Sequence, residues 1–131
     1  MPGETILVVD DAVFIVKLIA KVLQNSGYKV QLASTAEEAL SSLNTLQPDL
    51  VLVDIQLPGM GGLELARRIR QQTRLQNVVV IAMTASARVG IEQEAIDAGC
   101  NGFIAKPVDP KALAAQIHRF LEGESEEPAG Q

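Results

Sequence analysis

Leu50-Val51-Leu52-Val53 is a run of branched apolar residues that ends on Asp54 and leads into a Pro58-Gly59 turn. A strand that is apolar at every position, and not only at every second one, is buried on both faces and needs a layer of helix on each side. An acid at the carboxyl end of such a strand lies where open α/β sheets bind ligands. Asp is also common where a chain turns out of a strand, so Asp54 alone leaves both readings open.

The rest of the chain repeats this pattern. Thr5-Ile6-Leu7-Val8-Val9 is a β-branched run that stops at Asp10-Asp11, followed from Ala12 to Asn25 by Ile15, Leu18, Ile19 and Val22 at helical spacing and by Gly27 as a left-handed cap. Lys29 to Ala33 reads as a shorter alternating strand. Thr35-Ala36-Glu37-Glu38 is a capping box opening a helix that holds Ala39, Leu40, Leu43 and Leu46 and stops at Pro48. After the Leu50–Val53 strand, a helix is expected from about Leu63 to Gln72, with Leu63, Ala66 and Ile69 inward and Arg67, Arg68 and Arg70 solvated. Val78 to Met83 is the fourth strand and ends at Thr84; the next helix closes at Asp97-Ala98-Gly99. Phe103-Ile104-Ala105 is a short fifth strand ending at Lys106-Pro107. Asp109-Pro110 then starts a helix carrying Leu113, Ile117, Phe120 and Leu121. Residues 123–131 are mainly Gly, Ser, Glu and Pro and are expected to be a disordered acidic tail after one domain spanning 1–122.

Five strands alternating with five helices predict an α/β doubly wound parallel sheet with right-handed crossovers, in the strand order 2-1-3-4-5. The chain has 131 residues, 47% of them hydrophobic, enough for one buried core and too few for two ordinary domains. A net charge of −5 without a clustered excess of Lys and Arg argues against nucleic-acid binding. No stretch approaches the roughly 18 uninterrupted apolar residues of a membrane span, and the start has no signal-like segment. The single cysteine, Cys100, excludes an internal disulfide and fits a reducing, cytoplasmic compartment.

In the order 2-1-3-4-5, Asp10 and Asp11, Asp54, Thr84 and Lys106 leave four neighbouring strands, about 5 Å apart, at one edge of the sheet. Three carboxylates there repel by about 4 kcal/mol per close pair at an effective dielectric of about 20, far more than a turn preference is worth. They call for a cation. Oxygen ligands with room for water suit Mg²⁺. Together with the Lys106 ammonium and the Thr84 hydroxyl, such a cation would make a site for a phosphoryl group.

The segments Val9-Asp10-Asp11, Val53 to Met60, Met83-Thr84-Ala85 and Ala98 to Pro107 resemble the receiver domain of two-component response regulators, over about residues 5–122 and with all five signature positions filled. The resemblance implies a flavodoxin-like (βα)5 three-layer sandwich, a signalling switch that is not an enzyme in its own right, and Asp54 as acceptor of a phosphoryl group. The donor would be a phosphohistidine on a sensor histidine kinase or a histidine phosphotransfer protein. It further implies Mg²⁺ held by Asp11, Asp54 and the backbone carbonyl of Gln56, with Asp10 in a supporting role, phosphoryl oxygens bound by Thr84 and Lys106, and a cis Lys106-Pro107 peptide. Thr84 and Phe103 would form the switch, and the fourth helix, fifth strand and fifth helix would meet an unknown downstream protein, as a monomer or a phosphorylation-dependent dimer. Two departures stand out. Gly61-Gly62 occupies the place of the family's Asp-Gly, removing a side-chain cap, and Phe103 brings no hydroxyl to the aromatic switch position. Gln56, two residues after the acceptor, is polar and within range of the phosphoryl group or its attacking water.

Phe14 lies off the expected stripe of its helix and beside the acidic pair. It is either a plain exposed hydrophobe or, with Ile15, Leu18 and Pro107, part of a patch that docks a partner's helical bundle. Phe103 is either a switch or an ordinary buried aromatic. Cys100 is expected to be a small buried residue and His118 a surface one. Two other architectures of function fit the strand ends less well: a metal-dependent phosphohydrolase would place an acid where Gln56 stands, and a nucleotide or flavin module would have Gly-x-Gly-x-x-Gly after the first strand. A receiver excised from a larger hybrid kinase or multidomain regulator shares the same chemistry.

Overall fold

The computed structural model describes residues 3–85 and 88–123. The elements run β1 (Thr5–Val9), α1 (Val13–Asn25), β2 (Lys29–Ala33), α2 (Ala36–Leu43), β3 (Leu50–Asp54), α3 (Gly62–Arg70), a 3-10 turn (Thr73–Leu75), β4 (Val79–Thr84), α4 (Ile91–Asp97), β5 (Gly102–Ala105) and α5 (Pro110–Leu121). The strands form one five-stranded sheet in the order β2-β1-β3-β4-β5, with every pair parallel, as expected.

Alternation along the strands divides the apolar residues between two cores. Leu7, Val9, Val51, Val53, Val80 and Ala82 face α2, α3 and α4. Their neighbours Ile6, Val8, Leu50, Leu52, Ile81 and Met83 face α1 and α5. All of β3 is buried, which is why its sequence is continuously apolar up to Asp54. At about 1.5–3 kcal/mol per buried aliphatic side chain, its four apolar residues anchor the sheet strongly, as do the equally buried Ile6 to Val9 of β1.

Several helical details differ from the sequence expectation. The buried residues of α1 are Val16, Ile19, Ala20 and Leu23, whereas Leu18 is 47% exposed. Apolar side chains stand on nearly every side of this helix, so its pattern has no unique phase; the sheet and α5 select the inner face. α2 ends at Leu43, before Leu46, because the chain turns at Asn44 and Thr45, with the Ser42 carbonyl accepting from Thr45 N and Leu46 N. The capping box is offset: Thr35 Oγ1 accepts from Glu38 N, but Glu38 Oε1 reaches past the cap to Ser34 N at 2.8 Å. α3 runs from Gly62 to Arg70 and buries Leu65 with Ala66 and Ile69, leaving Leu63 only partly covered.

Arg70 is the main correction. Arg67 and Arg68 pair with Glu64 on an exposed face, as expected. Arg70 instead turns under the sheet, donating from Nε to Gly99 O (2.8 Å), from Nη1 to Val78 O (2.7 Å) and Gln76 O (3.2 Å), and from Nη2 to Asn101 Oδ1 (2.6 Å). Asn101 Oδ1 also accepts from Val80 N, so this guanidinium ties α3 and the α4–β5 turn to the start of β4. Burial pulls its pKa down. The tail beyond Gly123 lies outside the described residues.

Candidate functional site

The register brings four strand exits level. Val9 pairs with Val53, Asp54 with Met83, and Thr84 with Ala105, so Asp10, one residue past β1, stands beside Asp54, and Lys106 follows immediately after the partner of Thr84. Among the described residues, the buried polar or charged ones are Asp10 (1% exposed), Asp54 (5%) and Thr84 (1%), and all three lie at this edge.

Lys106 Nζ lies 2.8 Å from Asp10 Oδ2 and 3.0 Å from Asp54 Oδ2. The other oxygen of each aspartate is held locally: Asp10 Oδ1 accepts from Ala12 N at 2.9 Å, and Asp54 Oδ1 from Gln56 N at 3.0 Å. These are two copies of one Asx turn on adjacent strands. Neither Asp10 nor Asp11 is the N-cap of α1, which is Ala12 and has no side-chain cap bond. Asp11 is exposed at the rim. Burial alone would lower the Lys106 pKa, but its hydrogen bonds to Asp10 and Asp54 outweigh burial and raise it. Lys106 N donates to Thr84 O at 2.7 Å, and Lys106-Pro107 is cis.

Asp10, Asp11 and Asp54 each offer an oxygen, and these atoms all lie within 4.8 Å of one another. Three carboxylates against one ammonium leave the cluster formally at −2, and hard oxygen donors at this spacing fit a small divalent cation. A groove of about 250 Å³ flanks the cluster between α1 and β2, touching Asp10 and Asp11 but not Asp54 or Lys106.

Gln56 is exposed, and Phe103 is partly buried on β5. On α1, Phe14 is 90% exposed and Val13 64%, with Ile15 partly covered; Pro107 is exposed near Lys106. Cys100 is buried, which pushes its thiol up to about 11. His118 is exposed, with Nε2 3.7 Å from Glu122 Oε2.

The sequence reading named Gly62 in the turn after Asp54 but gave it no steric role at the site. A Cβ at this position would lie 2.2 Å from the Asp54 carbonyl oxygen and 2.9 Å from Ile55 Cα, and Gly62 N donates to Ile55 O. The signal available was a glycine at the start of the helix following an acid-terminated strand. Gly61 is the N-cap of α3 and makes no side-chain cap bond, as expected, and it also adopts φ 83°, ψ 154°.

The chain matches the response regulator receiver domain over residues 6–118. The phosphate regulon transcriptional regulatory protein PhoB of Pseudomonas aeruginosa is 34% identical over an alignment of 132 positions that covers 98% of this chain and 58% of PhoB. The polar-differentiation response regulator DivK of Brucella ovis is 32% identical over 118 residues, 90% of this chain and 96% of DivK. The crystal structure of a response regulator from Chloroflexus aurantiacus superposes with a TM-score of 0.87 at 31% identity, covering 92% of this chain and 98% of that one. The chain thus spans little more than half the length of the first relatives and nearly all of DivK. No helix among the described residues is long and apolar enough to cross a membrane.

Proposed function

The chain belongs to the receiver domains of two-component response regulators, and from that premise we propose that Asp54 is its phosphoacceptor. The observation that supports this best is the placement of its buried polar residues: Asp10, Asp54 and Thr84 lie together at adjacent strand ends under Lys106. In the reaction, a carboxylate oxygen of Asp54 forms a bond to phosphorus as the phosphorus–nitrogen bond of a phosphohistidine breaks. The phosphohistidine ring, already protonated on its second nitrogen, keeps the electron pair of the broken bond and leaves as neutral imidazole, and an aspartyl phosphate results. Lys106, already within hydrogen-bond range of Asp54, shifts its donors to the incoming phosphoryl oxygens, and the Thr84 hydroxyl supplies another.

Asp10, Asp11, Asp54 and the backbone carbonyl of Gln56 are the residues that would hold Mg²⁺. When bound, the ion offsets charge on the phosphoryl oxygens. The phosphodonor would be a sensor histidine kinase or histidine phosphotransfer protein in the cytoplasm. It would dock on Phe14, Ile15 and Leu18 of α1 and on Pro107. Each new charge-assisted hydrogen bond contributes roughly 1.5–3 kcal/mol, and reversing a 1:99 population takes about 5.5, so two or three contacts supply most of what is needed to move Thr84 and Phe103 and change the α4-β5-α5 face.

Intact-mass measurement after acetyl phosphate and Mg²⁺ tests the acceptor. One phosphoryl adduct is expected, and it should be absent in Asp54→Asn; an unmodified native protein, or an adduct that survives the substitution, sinks the reading. Phe14→Ser should slow transfer from a phosphohistidine donor while leaving acetyl phosphate labelling intact; equal slowing of both reactions contradicts the docking role.

A further inference from the structure

We propose that Gly61 and Gly62 are positioning residues for the acceptor site: together they hold loop 55–61 against the Asp54 peptide and so fix where the Gln56 carbonyl stands beside the carboxylates. The inference deepens the phosphoacceptor reading, since it takes that carbonyl as a metal ligand. The two glycines act by different physical means. Gly62 is needed for space, because a Cβ there would meet the Asp54 carbonyl oxygen at 2.2 Å and Ile55 Cα at 2.9 Å, both rigid backbone atoms. Gly61 is needed for conformation. A Cβ there would touch nothing within 4 Å, but φ 83° with ψ 154° falls in a region that only glycine occupies readily.

The loop between these points is short and tied at both ends. Ile55 N donates to Met83 O at 2.8 Å, and Gly62 N donates to Ile55 O at 3.1 Å, so the first loop residue bonds to β4 and to the start of α3. Gln56 N is held by Asp54 Oδ1, and Leu57 is buried in the core beneath α3. With those tethers fixed, the route from Leu57 to α3 depends on the two glycines and on Gly59 at φ 75°, the value a type II turn needs after Pro58. An Asp at position 61 would need a different backbone route. The glycine here therefore does more than omit a cap.

The test is calorimetric titration of Mg²⁺ into native protein, Gly62→Ala, Gly61→Ala and Leu75→Ala, each first checked for folding by circular dichroism. Leu75 is fully buried in the 3-10 turn before β4 and serves as a control that loses stability away from the loop. Residues that orient metal ligands typically change affinity by about 10–100-fold. Gly62→Ala is expected to weaken Mg²⁺ by about tenfold or more, Gly61→Ala by about threefold, and Leu75→Ala by less than about twofold. Native affinity in a folded Gly62→Ala or Gly61→Ala protein overturns the proposal, and so does equal weakening in Leu75→Ala. If Gly62→Ala does not fold, Gly61→Ala decides the matter alone. Failure of the phosphoacceptor reading would appear in the native protein as a missing phosphoryl adduct, whereas failure here leaves the native protein intact.

Discussion

At the amino edge of the sheet, the Arg70 guanidinium meets the carbonyls of Gly99, Val78 and Gln76 and the side-chain oxygen of Asn101, all neutral acceptors. At the carboxyl edge, the Lys106 ammonium meets two carboxylates, and a third stands within ligand distance of both. The first cluster has its donors placed and no excess of opposite charge. The second has more negative charge than its one cation balances. Polar groups that close a fold are satisfied by it, whereas those that serve a ligand are left with a remainder, and that remainder separates the two edges better than burial does.

The comparison breaks most directly at Arg70. Arg70→Met removes a cation from several backbone and side-chain acceptors at once and should cost about 2–4 kcal/mol, part of it recovered by water at this half-covered position. Urea unfolding reads the loss, and acetyl phosphate labelling should stay at the native level. A labelling defect would mean that the two edges are coupled.

Cys100, between Gly99 and Asn101 at the same amino edge, gives a smaller effect that depends on pH. Its thiol ionises near 9 when unfolded but is held protonated up to about 11 in the fold. The unfolded chain binds fewer protons across that interval, so stability falls as pH rises, by on the order of 2 kcal/mol. Cys100→Ala should flatten this slope; an unchanged slope assigns it to other groups.

The smallest effect has the opposite sign. Asp54 has one charged attraction, to Lys106 at 3.0 Å, against two charged repulsions, from Asp10 and Asp11 with oxygens within 4.8 Å. In metal-free protein Asp54→Asn should therefore raise stability by about 1 kcal/mol while abolishing the adduct. Destabilisation would show that Lys106 outweighs both neighbours.

Much of this was legible in the sequence, because the carboxyl edge follows from topology. Once the strand order is known, residues at strand ends meet whatever their side chains do. Asp10, Asp11, Asp54, Thr84 and Lys106 were placed together by that logic alone. Arg70 was not, because its partners come from a turn and from another loop, and helical periodicity groups it with Arg67 and Arg68. The α1 phase was illegible for a different reason: Val13 to Leu23 is apolar on nearly every side, so only packing selects Val16 over Leu18. The steric role of Gly62 was hidden because the atom that excludes a side chain there is the backbone of Asp54 itself.

The twin Asx turns have a consequence for the entropy of ligation. Asp10 and Asp54 each have one oxygen pinned by an amide two residues on, Ala12 N or Gln56 N, so each side chain is confined to one rotamer before any ligand arrives. Side-chain immobilisation on binding typically costs about 0.5–1.5 kcal/mol per residue. Here that loss was taken when the strands folded, leaving Asp11 at the exposed rim as the carboxylate still to be ordered by what binds.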